Sequence, residues 1–180
     1  MYLFQHDQLK VRRLALEDAH FLERWLSDPV VLEFYEGRDR PHNRELVMEH
    51  FYCGEDDEEV RCIVEFEGEA IGYIQFYPLD VEAREEYGFQ DIVGEIYGMD
   101  QFIGEPRFWN RGVGTQLIQS TVHYLFAEND AVKVVMDPQT WNTRALRVYE
   151  KCGFQRIMLL ERHEWHEGEM RDCWLIERNR

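Results

Sequence analysis

No stretch of this sequence approaches the roughly 20 consecutive apolar residues that a membrane-spanning helix requires. Its 44% hydrophobic residues are instead interleaved with 31% charged ones. The first residues, Met1-Tyr2-Leu3-Phe4-Gln5-His6-Asp7, lack the basic start and apolar core of a secretory leader. The four cysteines, Cys53, Cys62, Cys152 and Cys173, contain no C-x-x-C pair. That spacing argues against a zinc knuckle or a dithiol redox motif and fits reduced thiols in a cytoplasmic protein. Internal repeats, low-complexity runs and Pro/Gly-rich linkers are also missing. A length of 180 residues is enough for one substantial core, and residues 1–180 are expected to form one domain, with no room for an attached kinase.

Lysine is absent from residues 33–100, where 20 Asp and Glu face only 5 Arg, a net of −15. Residues 101–155 carry 5 acids and 6 bases, a net of +1, within a chain of net charge −16. Such acidity argues against nucleic acid or an anionic membrane surface as a partner. Its uneven placement fits a molecule whose acidic half receives a cation while the neutral half accepts an anionic cofactor, although acidic surfaces also serve solubility.

Within the neutral half lies Trp109-Asn110-Arg111-Gly112-Val113-Gly114-Thr115, between an apolar strand and the amphipathic run from Gln116 to Glu128. Two glycines opening a helix let the backbone approach an anion closely, and the free N–H groups of the first turn point at it. Alone, such a loop is often an ordinary turn. A second block sharpens it: Asn142-x-x-Ala145-x-x-x-Tyr149-x-Lys151-x-Gly153-Phe154.

Together the two blocks resemble the GNAT superfamily of acyl-CoA-dependent N-acetyltransferases. Tyr97-Gly98-Met99-Asp100-Gln101-Phe102-Ile103-Gly104-Glu105-Pro106, Met136-Asp137-Pro138 and Val31-Leu32-Glu33-Phe34-Tyr35 narrow the likeness to the aminoglycoside 6'-N-acetyltransferases, nearest to the acetyltransferase halves of bifunctional acetyltransferase–phosphotransferase enzymes. The likeness runs from about Val11 to Glu177. One departure is Trp109, where the family usually has Gln or Arg; Arg111 is expected to supply the charge. The resemblance implies the GNAT fold, an α/β (α+β) chain with a mixed, mostly antiparallel central sheet and helices on both faces. It also implies acetyl-CoA as co-substrate without a metal, a cationic aminoglycoside as acceptor, and a monomer or homodimer.

Periodicity and caps place strands at 9–14, 60–66, 70–77, 93–103, 132–136, 154–160 and 170–176. Helices are expected at 17–26, from Asp28-Pro29 to near Gly37, at 43–52, 112–128 and 142–151. Residues 55–59 and 78–91 read as polar loops.

Asp100, on the central strand between apolar neighbours, is the candidate for handling the acceptor amine, because a carboxylate there is costly to bury without a purpose. At an ordinary pKa near 4 it is a poor base for an ammonium, so anchoring the amine is an equal possibility. Tyr149 is the candidate acid for the departing thiolate. The resemblance assigns cofactor contacts to Gln101, Phe102, Ile103, Arg111, Gly112, Val113, Gly114, Thr115, Asn142, Ala145 and Lys151. Gly98 is expected where backbone is closely approached beside the thioester.

Acceptor contacts are expected from Phe34, Tyr35, Tyr52, Glu85, Asp137 and Glu167, with Glu86, Asp91 and Glu164 nearby. His163 and His166, near Cys173, read as a solvated hairpin tip and not as metal ligands, and Cys152 has no base to make it a nucleophile. Other amine acceptors (a polyamine, a siderophore precursor, a protein amine) and a non-catalytic acyl-CoA sensor remain open at this point.

Overall fold

A computed structural model describes residues 1–54 and 58–180; Glu55, Asp56 and Asp57 of the expected acidic loop lie outside the described residues. Eight strands form one sheet: β1 (Tyr2–His6), β2 (Leu9–Arg13), β3 (Val60–Phe66), β4 (Glu69–Pro78), β5 (Glu95–Ile103), β6 (Ala131–Met136), β7 (Gln155–His166) and β8 (Glu169–Asn179). Their spatial order is β1-β2-β3-β4-β5-β6-β8-β7. All neighbours are antiparallel except β5 and β6, which run parallel. The helices are α1 (Ala19–Trp25), α2 (Pro29–Leu32), α3 (Arg44–Tyr52), α4 (Val81–Glu86), α5 (Val113–Glu128) and α6 (Thr143–Lys151).

Strand alternation divides the core between the two faces of the sheet. Cys62 and Val64 of β3 pack with Leu117, Ile118 and Val122 of α5. Ile63 between them packs with Trp25 of α1, Leu26 just after it and Val47 of α3. Helices therefore cover both faces, as expected. The expected Asp28 cap is present, accepting from Val30 N–H at 2.9 Å, and Asn43 and Asn142, at the expected starts of their helices, cap them by accepting from Leu46 N–H at 3.0 Å and Ala145 N–H at 3.2 Å.

The differences are local. β1 was not anticipated, because it is a mostly exposed five-residue edge strand with little apolar pattern. The segment 78–91 is not wholly loop, since Asp80 caps α4 by accepting from Ala83 N–H at 2.7 Å. The final hairpin extends past its apolar centre toward the turn, through the pairs Glu164↔Arg171 and His166↔Glu169, and β8 runs on to Asn179. Helix α2 stops at Leu32, so Phe34 and Tyr35 lie on the turn that follows it.

One irregularity of the sheet positions the site. β5 stays paired with β4 from Tyr97 to Ile103, but with β6 only from Glu95 to Gly98. Beyond Gly98 the two parallel strands part. Ile96 C=O accepts from Leu79 and Gly104 N–H donates to Ile71, so the even residues of β5 address β4. By strand alternation the N–H groups of Met99 and Gln101 turn into the gap.

Candidate active site

Two clefts meet at this gap. One, of about 210 Å³, runs between the end of β5, the start of α5 and α6; Gln101, Phe102, Ile103, Gly112, Gly114, Thr115, Asn142 and Ala145 line it. The other, of about 530 Å³, opens over Asp100 and is walled by Glu36, Asp137 and Glu164. Phe34, Tyr35, Gln101, Asn142 and Tyr149 belong to both.

The narrower cleft has the features of an anion-binding groove. Gly112 caps α5 at φ 80°, and no side chain caps the first turn. A Cβ at Gly112 or Gly114 would meet nothing within 4 Å, so both glycines face open space. Several expected cofactor residues differ in placement. Val113 is buried in the core, Lys151 is exposed on α6, and neither lines the cleft. Arg111 is also exposed, its guanidinium 5.1 Å from the Phe108 ring centre.

The cation lining the groove is Arg144, which sequence reasoning missed although it sits inside the second block. Its guanidinium lies 4.3 Å from the Trp109 ring centre and 4.4 Å from that of Phe34. Trp109 therefore has a structural reason to stand where the family has Gln or Arg: it carries the guanidinium, and its Nε1–H donates to Ile103 C=O at 2.9 Å.

In the wider cleft Asp100 is held from β4. Gln75, directly opposite in register, donates through Nε2 to Asp100 Oδ2 at 3.0 Å, and Tyr77 donates its hydroxyl to the same oxygen at 3.1 Å. Gly98 is needed for this second bond. It pairs with Tyr77, and a Cβ on it would stand 2.5 Å from Tyr77 Cε2. The backbone at Gly98 is closely approached, as expected, and in this structure the group that approaches it is the Tyr77 ring. Burial and the nearby Asp137 charge raise the Asp100 carboxyl to about 6, against the lowering effect of its two hydrogen bonds. That moves it toward the range useful for a base near neutral pH. Burial raises the Tyr149 phenol to about 12. Complete transfer of its proton to a thiolate therefore costs more than for an ordinary phenol, and hydrogen-bond donation to the sulfur becomes its main capability.

Of the expected acceptor residues, Phe34, Tyr35 and Asp137 line the wider cleft. Tyr52 does not: its hydroxyl donates to Ala15 C=O at 2.8 Å while its ring packs against the α1–α3 core. Glu85 is exposed on α4, and its neighbour Glu86 reaches inward to His163 Nδ1 at 3.7 Å. Glu167 is bound by Arg38 through contacts of 2.6 and 2.8 Å, which hold its carboxyl down at about 2. It ties the β7–β8 turn to the segment after α2.

The histidines are not a solvated tip. His166 is 4% exposed and packs on Trp141, whereas His163 Nε2 lies 2.8 Å from Asp137 Oδ2, a contact that raises the imidazole pKa. Glu164, on the same strand, accepts from Cys173 Sγ at 3.8 Å. Among the described residues, no group of three or more His, Cys, Asp or Glu is arranged to hold a metal.

The model of the acetyltransferase (GNAT) domain matches residues 15–161. The chain belongs to the GNAT acetyltransferase family. Aminoglycoside N(6')-acetyltransferase type 1 of Klebsiella pneumoniae is 28% identical over 153 residues, spanning 84% of this chain and 76% of that protein. Two solved structures share the fold. AAC(6')-Ib in complex with ribostamycin and coenzyme A has a TM-score of 0.76 at 23% identity, covering 97% of this chain and 94% of that one. Spermidine N-acetyltransferase from Vibrio cholerae, in complex with CoA and spermine, has a TM-score of 0.76 at 19% identity, covering 97% and 96% respectively.

Proposed function

We propose that this GNAT protein transfers the acetyl group of acetyl-CoA to the 6'-amine of aminoglycoside antibiotics. The observation that carries the reading is the junction of the two clefts, with Asp100 at the base of the acidic one and Tyr149 on the wall they share. The pyrophosphate of acetyl-CoA rests on the first turn of α5, and its thioester reaches the β5–β6 gap. There a backbone N–H of β5 stabilises the oxyanion that develops on the carbonyl. Asp137, Glu164 and Glu36 receive the ammonium groups of the acceptor, and Phe34, Tyr35 and Trp141 offer flat faces to its rings.

The 6'-amine attacks the thioester carbon directly. As the C–N bond forms, the C–S bond breaks with its electron pair on sulfur. The amine's proton passes to Asp100, Tyr149 keeps its proton and hydrogen-bonds the departing sulfur, and CoA leaves as the thiolate, with exchange through solvent returning the proton from Asp100. The relatives' names support the aminoglycoside assignment.

The V. cholerae structural neighbour and the acidity of the cleft favour one second reading, a linear polyamine acceptor. Steady-state turnover of acetyl-CoA with kanamycin and with spermidine in the same assay decides between them. Kanamycin is expected to have the higher kcat/KM; a higher value for spermidine removes the aminoglycoside assignment and leaves acetyl transfer intact. Binding of acetyl-CoA without turnover on any amine would instead make the protein an acyl-CoA sensor.

A further inference from the structure

Gln101 lines both clefts, and the two ends of its amide meet different surroundings. Its Nε2 lies 2.8 Å from the Tyr149 hydroxyl and 3.6 Å from Met136 Sδ, whereas its Oε1 is buried without a hydrogen-bond partner. An amide nitrogen carries two hydrogens, one for each of these neighbours, and a thioether sulfur accepts but cannot donate. Turning the amide over would set Oε1 against the sulfur lone pairs and oblige Tyr149 to donate to it. A phenol has a single proton. If that proton is committed to Gln101, it is withheld from the leaving group. With Nε2 donating, the bond uses a lone pair of the phenol oxygen and leaves the proton free.

We propose that Gln101 is a positioning residue whose amide, oriented by Met136, fixes the Tyr149 hydroxyl so that its proton points at the donor's sulfur. The inference rests on the acetyl-transfer reading above. The unpartnered Oε1 follows from the arrangement, since both favourable contacts lie on the nitrogen side. A buried polar atom left without a partner is uncommon and calls for such an explanation. During transfer Gln101 exchanges no proton. It holds the Tyr149 oxygen while the C–S electron pair settles on sulfur and the phenolic hydrogen bonds to it.

Gln101→Glu and Gln101→Leu, each made in the wild type and in Tyr149→Phe, test this at pH 8.5. Ionised glutamate keeps the shape but only accepts, so it captures the phenolic proton; leucine removes the bond without reversing it. The kcat is expected to fall on the order of tenfold in Gln101→Leu and further in Gln101→Glu. Neither substitution should lower kcat further once Tyr149 is Phe. Met136→Leu, which removes the sulfur and keeps the bulk, should lower kcat in the same Tyr149-dependent way.

A packing role predicts the reverse ranking, with the near-isosteric glutamate better tolerated, and equal losses in both backgrounds. That result would overturn the inference. Wild-type protein that acetylates no amine at all would overturn the underlying reading instead.

Discussion

Asp100→Asn should make this protein more stable at neutral pH while disabling it. Both hydrogen bonds to the carboxylate, from Gln75 and Tyr77, end on the same oxygen, Oδ2. An asparagine with its carbonyl oxygen in that place keeps both, and only the charge is lost. Folding raises the Asp100 pKa to about 6. Against an unfolded value of about 3.9, holding the carboxylate ionised at pH 7.5 costs roughly 3 kcal/mol.

The sign follows from proton linkage. A group whose folded pKa is raised favours the folded state below its unfolded pKa, and that advantage is lost as pH rises through the folded value. The substitution should therefore raise Tm at pH 7.5, by a ceiling of roughly 6–12 °C for a domain of this size. The gap should close as pH falls from 6 toward 4. Thermal melts of both proteins at pH 7.5 and pH 4.5 measure it, provided each is reversible. At the same time kcat/KM for the acceptor should fall by on the order of 10²-fold with acetyl-CoA affinity preserved. A variant less stable than wild type at pH 7.5, or a Tm difference independent of pH, would show that the buried Asp100 charge does not destabilise the fold.

Gly114→Val places a side chain in open space at a non-left-handed position of α5, so the protein should fold normally; calorimetry should show acetyl-CoA affinity falling sharply because the backbone can no longer be approached. Tyr149→Phe should lower kcat with little change in acceptor affinity, and the loss should shrink with a donor whose thiolate leaves more readily. Gly98→Ala forces the Tyr77 ring away from a Cβ that would lie 2.5 Å from it, which removes one of the Asp100 hydrogen bonds. The pH at which kcat/KM falls on the acid side should therefore move upward in Gly98→Ala, as a pH-rate profile would show.

The glycine loop and the Asn142–Phe154 block were legible because each is a local device, in which a turn, a cap and a helix face are fixed by residues close in sequence. The sheet was legible for the same reason wherever its strands alternate cleanly. What escaped depends on contacts between distant segments. Glu167 looks like a free acid until Arg38, 129 residues away, is brought against it. Gly98 reads as a point of close backbone approach, but only the register of β4 and β5 shows that the group packed there is Tyr77. Tyr52 looks available for stacking until its hydroxyl finds Ala15. Arg144 was missed because its role depends on two aromatic rings from other parts of the chain. The raised Asp100 pKa also arises from tertiary structure, since burial and the facing Asp137 come from strands that sequence alone does not juxtapose.

The most direct test of the central claim is the kcat/KM of acetyl transfer measured on a matched pair of aminoglycosides that differ only in carrying an amine or a hydroxyl at the 6' position. The 6'-amine is expected to be acetylated there, with the product's position read by NMR, and the 6'-hydroxyl analogue to be turned over much more slowly. Equal rates on the two, or acetylation at another amine, would contradict it.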